Sequence, residues 1–453
     1  MTRPRFPRRV ALWAVLILGA VALTAAGCAA PPSPQGWAPA RPVKADGGIV
    51  LVTHKAKLFA LPGTTSEDLS SNANWQFPPK DKNTFPISEQ AHDALSDAVD
   101  GLDGVDDATK ARLKKLVDEL MVSGPSLNAL KDAVKASAAP NDQRNKLNDA
   151  IDATVKFEKD ALNKLQAFYG DIGLSGDNKT AFVTSFRGMV FALDVASGHT
   201  RWVRNAGDNI VGGIAVDGDT LYFGTKGNRV YAIDAKTGDR IWQFSTEGEV
   251  WATPTLDGDT LYVTSLDGSL YALDKSGNKK WVFQGAGSGI AARPVVSDDS
   301  VYIGSFDNKL YSVKKSDGTL NWSVKADNWF WATPVVTGGT VYAASLDGKV
   351  YAVDASTGAP RWERPFDTGA PVRSGPALAG GGLIVAARNG NVYKLDLSSG
   401  QADEGSPVTA GTKILADLTT NDANTVYVVP TSATLYVLDA TTQLAVGYVP
   451  LPQ

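Results

Sequence analysis

Apolar and small or polar residues alternate in short runs that recur about every forty residues between residues 181 and 440. The clearest runs begin at Thr220, Thr260, Ser300 and Thr340, and a second run with a tyrosine at its second position follows each of them across a turn. An alternation of period two that is rich in β-branched and aromatic residues predicts β-strands. The pattern therefore predicts a tandem array of β-hairpins.

Each repeat ends in a turn that contains glycine, and a tryptophan follows a few residues later. In Asp234–Gly238 and Asp354–Gly358 the aspartate is placed to accept backbone N–H groups, and the glycine accepts the positive φ of a tight turn. We therefore interpret these aspartates as structural. A tryptophan buried between two sheets stabilises their contact. The tryptophans at this position are Trp202, Trp242, Trp281, Trp322 and Trp362.

Weaker copies of the repeat extend the array at both ends. They are Ile49–Leu61 followed by Trp75, Ala181–Asp194, Leu383–Asp396 and Val426–Asp439. Eight units of four short strands predict an all-β fold, an eight-bladed β-propeller of four-stranded antiparallel blades. A seven-bladed ring with an additional hairpin is the alternative. We assign blade 1 to residues 38–80 and blades 2–8 to residues 169–453.

Residues 81–168 interrupt the β pattern and have the periodicity of amphipathic helices. The apolar stripes are Ala91, Leu95, Val99 and Leu102; Leu113, Leu116, Val117, Leu120 and Met121; Leu127, Leu130 and Val134; and Leu147, Ile151, Leu162 and Leu165. Ser88 and Ser126 are predicted N-caps, and the last helix is predicted to run from Asp142 to Ala167. The insertion is thus a predicted helical bundle between blades 1 and 2. It is either self-contained or leaves one face for a partner.

The N-terminus has the parts of an export signal, because four arginines precede the apolar run Val10–Ala26 and small residues then lead to a cysteine. The run is short for a membrane span, although a transmembrane anchor is the alternative. The stretch Leu23–Cys28 resembles a bacterial lipobox, with an alanine where a leucine is usual. We therefore predict a lipoprotein signal peptide at residues 1–27, a lipid on Cys28 and a proline-rich tether at residues 28–37. The protein is then anchored to the cell membrane or outer membrane and faces the periplasm or the exterior.

Composition narrows the classes of function. Cys28 is the only cysteine, which excludes an intramolecular disulfide and a cysteine-rich metal site. Removal of residues 1–27 changes the formal net charge from −4 to −8, since four arginines and no acidic residue are lost. An acidic body argues against binding of nucleic acid through a broad basic face.

The three histidines are scattered, and the Asp-Gly-Asp sequences at Asp217 and Asp257 lack the later ligands of a calcium loop. No metal and no cofactor are therefore expected.

The repeat Leu/Val-Tyr-Ala-Leu/Ile/Val-Asp-x-x-Thr/Ser-Gly, with a tryptophan a few residues later, resembles that of quinoprotein-type (PQQ-like) β-propellers. The combination of a lipobox with about eight short blades is similar to the BamB family of outer-membrane assembly lipoproteins. This resemblance implies a scaffold or assembly factor rather than an enzyme. It implies protein segments or membrane-associated assembly components as partners, and a monomer within a larger complex.

Two other classes of function stay open. The same repeat builds quinone-dependent oxidoreductases, which by family resemblance hold the quinone with a calcium ion, a catalytic aspartate and often a disulfide of adjacent cysteines. The single cysteine excludes that disulfide, and minimal blades leave no substantial loop to enclose a cofactor. We therefore assign no catalytic residue. The third class is a receptor that binds a small molecule in the funnel of the propeller.

Candidate binding residues follow from an alignment of the innermost strands through Pro254, Pro294, Pro334 and Pro376. The starts of these strands surround the axial channel of a propeller. The side chains three positions before the aligned proline are therefore predicted to form the rim of that channel. They are Trp251, Ala291, Trp331 and Arg373, with Tyr169 in blade 2. Exposed tryptophan and arginine are typical of interface anchors. Core packing between blades is the alternative for these side chains.

At the position before the aligned proline, or its equivalent in units without that proline, three blades that are neighbours in a closed ring carry charged residues. They are Arg41 in blade 1, Asp171 in blade 2 and Asp417 in blade 8. Opposite charges attract most strongly where water is partly excluded. We therefore predict that these three side chains form an ion cluster that locks the closure of the ring.

Overall fold

The computed structural model describes residues 42–61, 73–79, 87–122, 126–163, 165–420, 423–432, 434–441 and 445–451. The predicted signal peptide, Cys28, the tether and Arg41 lie outside these residues. The described chain forms eight four-stranded antiparallel sheets and four α-helices. Each sheet consists of four consecutive strands that pair in sequence order. The prediction of eight blades is confirmed, and the seven-bladed alternative is wrong.

The strands of blades 1 to 4 are β1 (Val43–Lys44), β2 (Val50–His54), β3 (Lys57–Leu61) and β4 (Trp75–Phe77); β5 (Gly173–Leu174), β6 (Thr180–Thr184), β7 (Met189–Asp194) and β8 (Thr200–Asn205); β9 (Ala215–Asp217), β10 (Thr220–Gly224), β11 (Arg229–Asp234) and β12 (Arg240–Ser245); and β13 (Thr255–Asp257), β14 (Thr260–Thr264), β15 (Leu270–Asp274) and β16 (Lys279–Phe283).

The strands of blades 5 to 8 are β17 (Val295–Ser297), β18 (Ser300–Gly304), β19 (Lys309–Lys314) and β20 (Leu320–Lys325); β21 (Val335–Thr337), β22 (Thr340–Ala344), β23 (Lys349–Asp354) and β24 (Phe366–Asp367); β25 (Ala377–Ala379), β26 (Gly382–Ala386), β27 (Asn391–Leu395) and β28 (Val408–Thr409); and β29 (Thr419–Thr420), β30 (Thr425–Val428), β31 (Thr434–Asp439) and β32 (Ala445–Pro450).

The second strand of each blade is apolar at successive positions because both of its faces are covered. In β10, Leu221 packs in the core shared with blade 2, and the next residue, Tyr222, packs in the core shared with blade 4. Successive side chains of a strand point to opposite faces of the sheet. The near-continuous apolar runs therefore reflect a sheet that is sandwiched between two neighbours.

In blades 1 to 6 the tryptophan of the repeat joins the blade to the next one, as predicted. Trp322 of blade 5 donates its indole N–H to the carbonyl of Ala355 in blade 6, at 3.0 Å, and lies against Tyr302 with ring centroids 5.9 Å apart. Gly358, at φ 75°, lies under the ring, where a Cβ would come within 2.8 Å of it. The aspartate that begins this turn accepts the backbone N–H groups of the turn: Asp354 Oδ1 is 2.8 Å from the nitrogen of Thr357. Its structural interpretation is confirmed.

The ring closes through apolar contacts between blade 8 and blade 1. Val52 and Phe59 of blade 1 share one buried cluster with Tyr427 and Val437 of blade 8. Every described sheet contains only its own four strands, so no strand is exchanged between the ends of the chain. The closure therefore depends on the burial of apolar surface rather than on main-chain pairing.

The helical insertion lies between β4 and β5 and has its own core. Its helices are α1 (Glu89–Asp100), α2 (Asp107–Val122), α3 (Ser126–Ala136) and α4 (Asn141–Asn163). Leu95, Val99, Leu113, Val117, Leu130, Val134, Leu147 and Ile151 are buried together. Ser88 is the N-cap of α1 and accepts the N–H of Ala91 at 3.2 Å. The side chain of Ser126, the second predicted N-cap, lies outside the described residues.

The last helix is shorter than predicted. It ends at Asn163 rather than at Ala167, because the following residues pack into the core between blades 1 and 2. Phe168 lies 6.4 Å from Phe77, measured between ring centroids, and donates its backbone N–H to the carbonyl of Lys55 at 3.0 Å. Continuation of the helix would carry these apolar side chains away from that core.

The bundle also contacts the outer strand of blade 2. Arg204 of β8 donates to the side-chain oxygen of Gln90 in α1 at 2.7 Å, and Gln90 donates to the carbonyl of Thr237 at 3.4 Å. Ala161 of α4 is buried in the core of blades 1 and 2. Among the described residues, we find no helix with both the length and the apolar character that crossing a bilayer requires.

Candidate binding site at the axial mouth

Seven blades place the segments before their innermost strands around one small cavity on the axis. Its volume is about 120 Å³. One side chain from each of blades 2 to 8 forms what we call the inner ring: Tyr169, Val211, Trp251, Ala291, Trp331, Arg373 and Leu415. All of the predicted rim residues thus lie around one cavity. We call this cavity and the protein face around it the axial mouth. The prediction did not include Val211 and Leu415; at the position of the aligned proline, blades 3 and 8 have Ile214 and Leu418, and blade 2 has Ile172.

The cavity is narrow because the segments approach one another at the backbone. A Cβ on Gly170 would lie 2.1 Å from the carbonyl oxygen of Gly212, a distance that no side chain tolerates. The positions after Trp251 and Trp331 are also small, Ala252 and Ala332. Drug-sized ligands occupy pockets of roughly 300–1,000 Å³. The cavity therefore has room for little more than the tip of a side chain.

A polar layer lies directly below the inner ring. Asp171 accepts hydrogen bonds from Thr253 at 3.2 Å and from Arg293 at 3.4 Å, which connects blade 2 to blades 4 and 5. Asp417 accepts from the Thr333 hydroxyl at 2.7 Å and from the backbone N–H of Gly375 at 2.5 Å. The two predicted closure aspartates therefore also bond to blades beyond their immediate neighbours. Because Arg41 lies outside the described residues, the three-residue cluster stays a prediction.

Four aromatic side chains of blades 4 to 6 form a contiguous group that we call the aromatic platform: Trp251, Phe306, Trp329 and Trp331. Ring centroids are 6.4 Å apart for Trp251 and Trp331, 5.0 Å for Phe306 and Trp331, and 4.6 Å for Phe306 and Trp329. Trp329 is 40% exposed, and Trp251 and Trp331 are half-buried. The platform therefore offers preformed apolar surface beside the cavity.

Charged side chains contact two of the three tryptophans of the platform. The guanidinium carbon of Arg373 lies 4.1 Å from the centroid of Trp331, a cation–π contact. The ammonium group of Lys226 lies 5.2 Å from the centroid of Trp251 and 2.8 Å from the carboxylate of Glu249. Glu249 also accepts the indole N–H of Trp251 at 2.6 Å. These contacts hold the two rings in place, and a surface that is ordered in advance loses less entropy when it binds.

Arg373 is the charged member of the inner ring. Burial lowers the pKa of its guanidinium to about 10, the positive charge of Arg388 acts in the same direction, and Asp417 opposes both. The side chain is therefore still a cation at neutral pH. A partly desolvated guanidinium gains more from an anionic ligand than one in bulk water.

Tyr169 lies in another sector of the same rim. Its ring meets Phe186 edge-on, with centroids 5.8 Å apart, and it lines the cavity without joining the aromatic platform. Phe306 and Trp329 were missed by the alignment, because both lie in loops rather than on the aligned strand. The sequence Asn328-Trp-Phe-Trp331 was the available signal, since the equivalent of Trp329 is Glu249 in blade 4 and Gly289 in blade 5.

Comparison with known families identifies the repeat. The chain matches the family described as outer membrane protein assembly factor BamB over residues 186–293 and 284–446. These two ranges together span more than half of the 453 residues. The chain belongs to the BamB family. The helical bundle lies before both matched ranges, whereas the aromatic platform lies within them.

Solved structures with the same fold include BamB from Moraxella catarrhalis. It has 23% sequence identity and a TM-score of 0.51, and the match covers 63% of this chain and 82% of that one. The computationally designed Ika8 protein has 15% identity and a TM-score of 0.53, with 63% and 84% of the two chains covered. At such identities the likeness concerns the propeller fold alone. The comparison with curated proteins gives no match.

Proposed function

We propose that this protein is a non-enzymatic scaffold or assembly factor that binds protein segments at the axial mouth while a lipid on Cys28 anchors it to a membrane. Membership of the BamB family supports an assembly role, because the family is described by such a factor. The protein then faces the periplasm or the exterior and works as a monomer within a larger complex. We propose no cofactor for it.

The observation that carries this proposal is the aromatic platform with Arg373 beside it. Tryptophan and arginine contribute most of the binding energy at many protein interfaces, and here Trp251, Trp331 and Arg373 are held together at a half-buried surface. The volume of about 120 Å³ argues against a receptor that holds a small molecule in the funnel of the propeller, since such ligands need a larger pocket.

Site-specific photo-crosslinking in intact membranes tests the proposal. A photoreactive phenylalanine analogue in place of Trp329 is expected to give crosslinked protein adducts, and the same analogue in place of Tyr448 is the matched control. Tyr448 is 67% exposed on the outer strand of blade 8, away from the mouth. Trp251→Ala combined with Trp331→Ala is expected to abolish the adducts from position 329 with only a small decrease in melting temperature.

Two outcomes contradict the proposed binding site. Equal crosslinking from positions 329 and 448 would move the partner surface away from the mouth. Loss of cooperative unfolding in the Trp251→Ala, Trp331→Ala protein would identify the two rings as core residues rather than binding residues.

The membrane anchor has a separate test. Cys28→Ser is expected to release the protein from the membrane fraction, because no other cysteine is available to carry the lipid. An uncleaved Cys28→Ser protein that stays entirely in the membrane fraction would show that Val10–Ala26 is an ordinary transmembrane anchor.

A further inference from the structure

The mouth has a cationic sector beside the aromatic platform, which we call the cationic arc: Arg373, Arg388 and Lys413 of blades 7 and 8. Arg388 occupies the hairpin-turn position that Phe306 has in blade 5, because the two residues make the same backbone hydrogen bond. The N–H of Arg388 donates to the carbonyl of Pro371 at 2.8 Å, and the N–H of Phe306 donates to the carbonyl of Gly289 at 3.0 Å. Both Arg388 and Lys413 are exposed.

Lys413 belongs to the same face by the register of the repeat. It lies two residues before Leu415 of the inner ring, as Trp329 lies two residues before Trp331. Its carbonyl accepts the N–H of Thr431 at 2.8 Å, the bond that the carbonyl of Trp329 makes with Leu346 at 2.9 Å. The repeat therefore places a cation in blade 8 where blade 6 presents the exposed tryptophan of the platform.

The two sectors meet at one contact, the guanidinium of Arg373 on the ring of Trp331 at 4.1 Å. A ligand that touches this junction reaches both an apolar surface and a positive charge. One side chain of such a ligand can also enter the cavity, which Arg373 and Trp331 both line.

The charges of the arc are unevenly balanced. Lys226, on the other side of the platform, is paired with Glu249 at 2.8 Å. Within the part of the chain that the structure describes, no carboxylate lies within ion-pair distance of Arg388 or Lys413. Arg373, by contrast, faces the charge of Asp417, whose oxygens also accept hydrogen bonds from Thr333 and Gly375. Arg388 and Arg373 repel each other, so an added carboxylate reduces this repulsion.

We propose that the segment bound at the mouth is acidic, with carboxylate side chains on the cationic arc and an intervening aromatic or aliphatic side chain on the platform. Arginine binds a carboxylate through paired charge-assisted hydrogen bonds, and the platform supplies the apolar contact. This inference rests on the proposed function and adds the chemistry of the partner to it. The partner is a segment of another protein.

Short labelled peptides test the chemistry directly. Gly/Ser-rich peptides with a central Glu-Phe-Glu, Gln-Phe-Gln or Lys-Phe-Lys are titrated with the protein, and binding is measured by fluorescence anisotropy at low and high salt. Only the Glu-Phe-Glu peptide is expected to bind well, and its affinity is expected to fall with added salt. The Gln-Phe-Gln peptide is expected to bind at least about tenfold more weakly.

Charge variants of the protein provide the second arm. Arg388→Gln with Lys413→Gln is expected to weaken Glu-Phe-Glu binding by about tenfold or more. The matched control is Lys279→Gln with Lys325→Gln, which removes the same charge from exposed positions on outer strands and is expected to leave the affinity unchanged. Both double variants are expected to keep the melting temperature, since all four side chains are exposed.

The possible results separate this inference from the function on which it rests. Equal affinity for the Glu and Gln peptides would overturn the acidic partner, whereas loss of crosslinks from position 329 in the Trp251→Ala, Trp331→Ala protein would still support binding at the mouth. Retention on phosphatidylglycerol vesicles, lost in the Arg388→Gln, Lys413→Gln variant, with no peptide binding, would assign the arc to lipid headgroups and overturn the proposal.

Discussion

Glu158 of α4 is a carboxyl group held almost entirely out of water. Its side chain is 3% exposed. It accepts the backbone N–H of Ser88 at 2.8 Å and the hydroxyl of the same residue, so it supports the start of α1. Burial raises the pKa of Glu158 above its ordinary value of 4.5, and the hydrogen bonds from Ser88 oppose that shift. The bundle thus contains a carboxylate whose charge is unfavourable in the folded state.

Replacement of Glu158 by glutamine is expected to change how the stability of the bundle depends on pH. The folded protein binds the proton more tightly than the unfolded chain, so this group stabilises the fold below pH 4.5 and that stabilisation is lost as pH rises through the elevated pKa. The melting temperature of Glu158→Gln relative to wild type should therefore increase from acidic to neutral pH. Circular dichroism at helical wavelengths measures it, with Glu119→Gln, exposed on α2, as the control. A constant difference would contradict this account.

The helical insertion is the element that is most easily separated from the ring. Its apolar stripes bury one another in a core of their own, and Gln90 and Arg204 provide a polar contact with blade 2. The C-terminal end of the insertion is the part that packs into the propeller, because Ala161, Leu162 and Leu165 contact the core of blades 1 and 2. The residues 161–168 therefore belong with the propeller in any design that removes the bundle.

Replacement of residues 87–160 by a Gly/Ser linker is expected to preserve β-type circular dichroism and cooperative unfolding. A longer replacement, residues 85–167, also removes Leu162 and Leu165 and is expected to lower the free energy of unfolding by a further ~2–5 kcal/mol. Denaturant titration of the two proteins measures this difference. Non-cooperative unfolding of the shorter replacement would show that the bundle is part of the propeller core.

Elements defined by local periodicity could be predicted from sequence, whereas contacts between distant segments could not. The hairpins and the N-cap at Ser88 follow from residues a few positions apart, and the tryptophan contacts between neighbouring blades follow from the regular period of the repeat. The end of α4 depends on a core built by blades 1 and 2, and the local apolar pattern, which predicts helix up to Ala167, carries no information about that core. The contact of Phe306 with Trp329 and the bond of Asp171 to Arg293 join different blades. No spacing in the chain indicates either contact.

At the scale of the whole molecule, the junctions between blades are of two kinds. Six are sealed by a tryptophan that donates to the next blade: Trp75, Trp202, Trp242, Trp281, Trp322 and Trp362. Blades 7 and 8 have no tryptophan, so the junctions of blade 7 with blade 8 and of blade 8 with blade 1 lack the seal. We expect the ring to open first at these two junctions.

Phe59→Ala tests this expectation at the junction of blades 8 and 1, where the side chain is fully buried. Phe223→Ala is the matched variant at the sealed junction of blades 2 and 3. Both are expected to lower the free energy of unfolding by ~3–5 kcal/mol. Hydrogen exchange is expected to accelerate selectively in blades 8 and 1 for Phe59→Ala. Uniform acceleration across the ring in both variants would contradict a weak closure.

The order of the strands within each blade bears on how such a protein is made. Every described sheet pairs only strands that are neighbours in the chain, so a polypeptide that emerges progressively from a ribosome or a translocation pore can complete one blade after another. Local pairing of this kind is fast, because the entropic cost of closing a short loop is small. Among the described residues, the two ends of the ring meet where blade 8 contacts blade 1. Until that last step, an arc of finished blades exposes one apolar flank at each end, and this is the interval in which a chaperone would be needed.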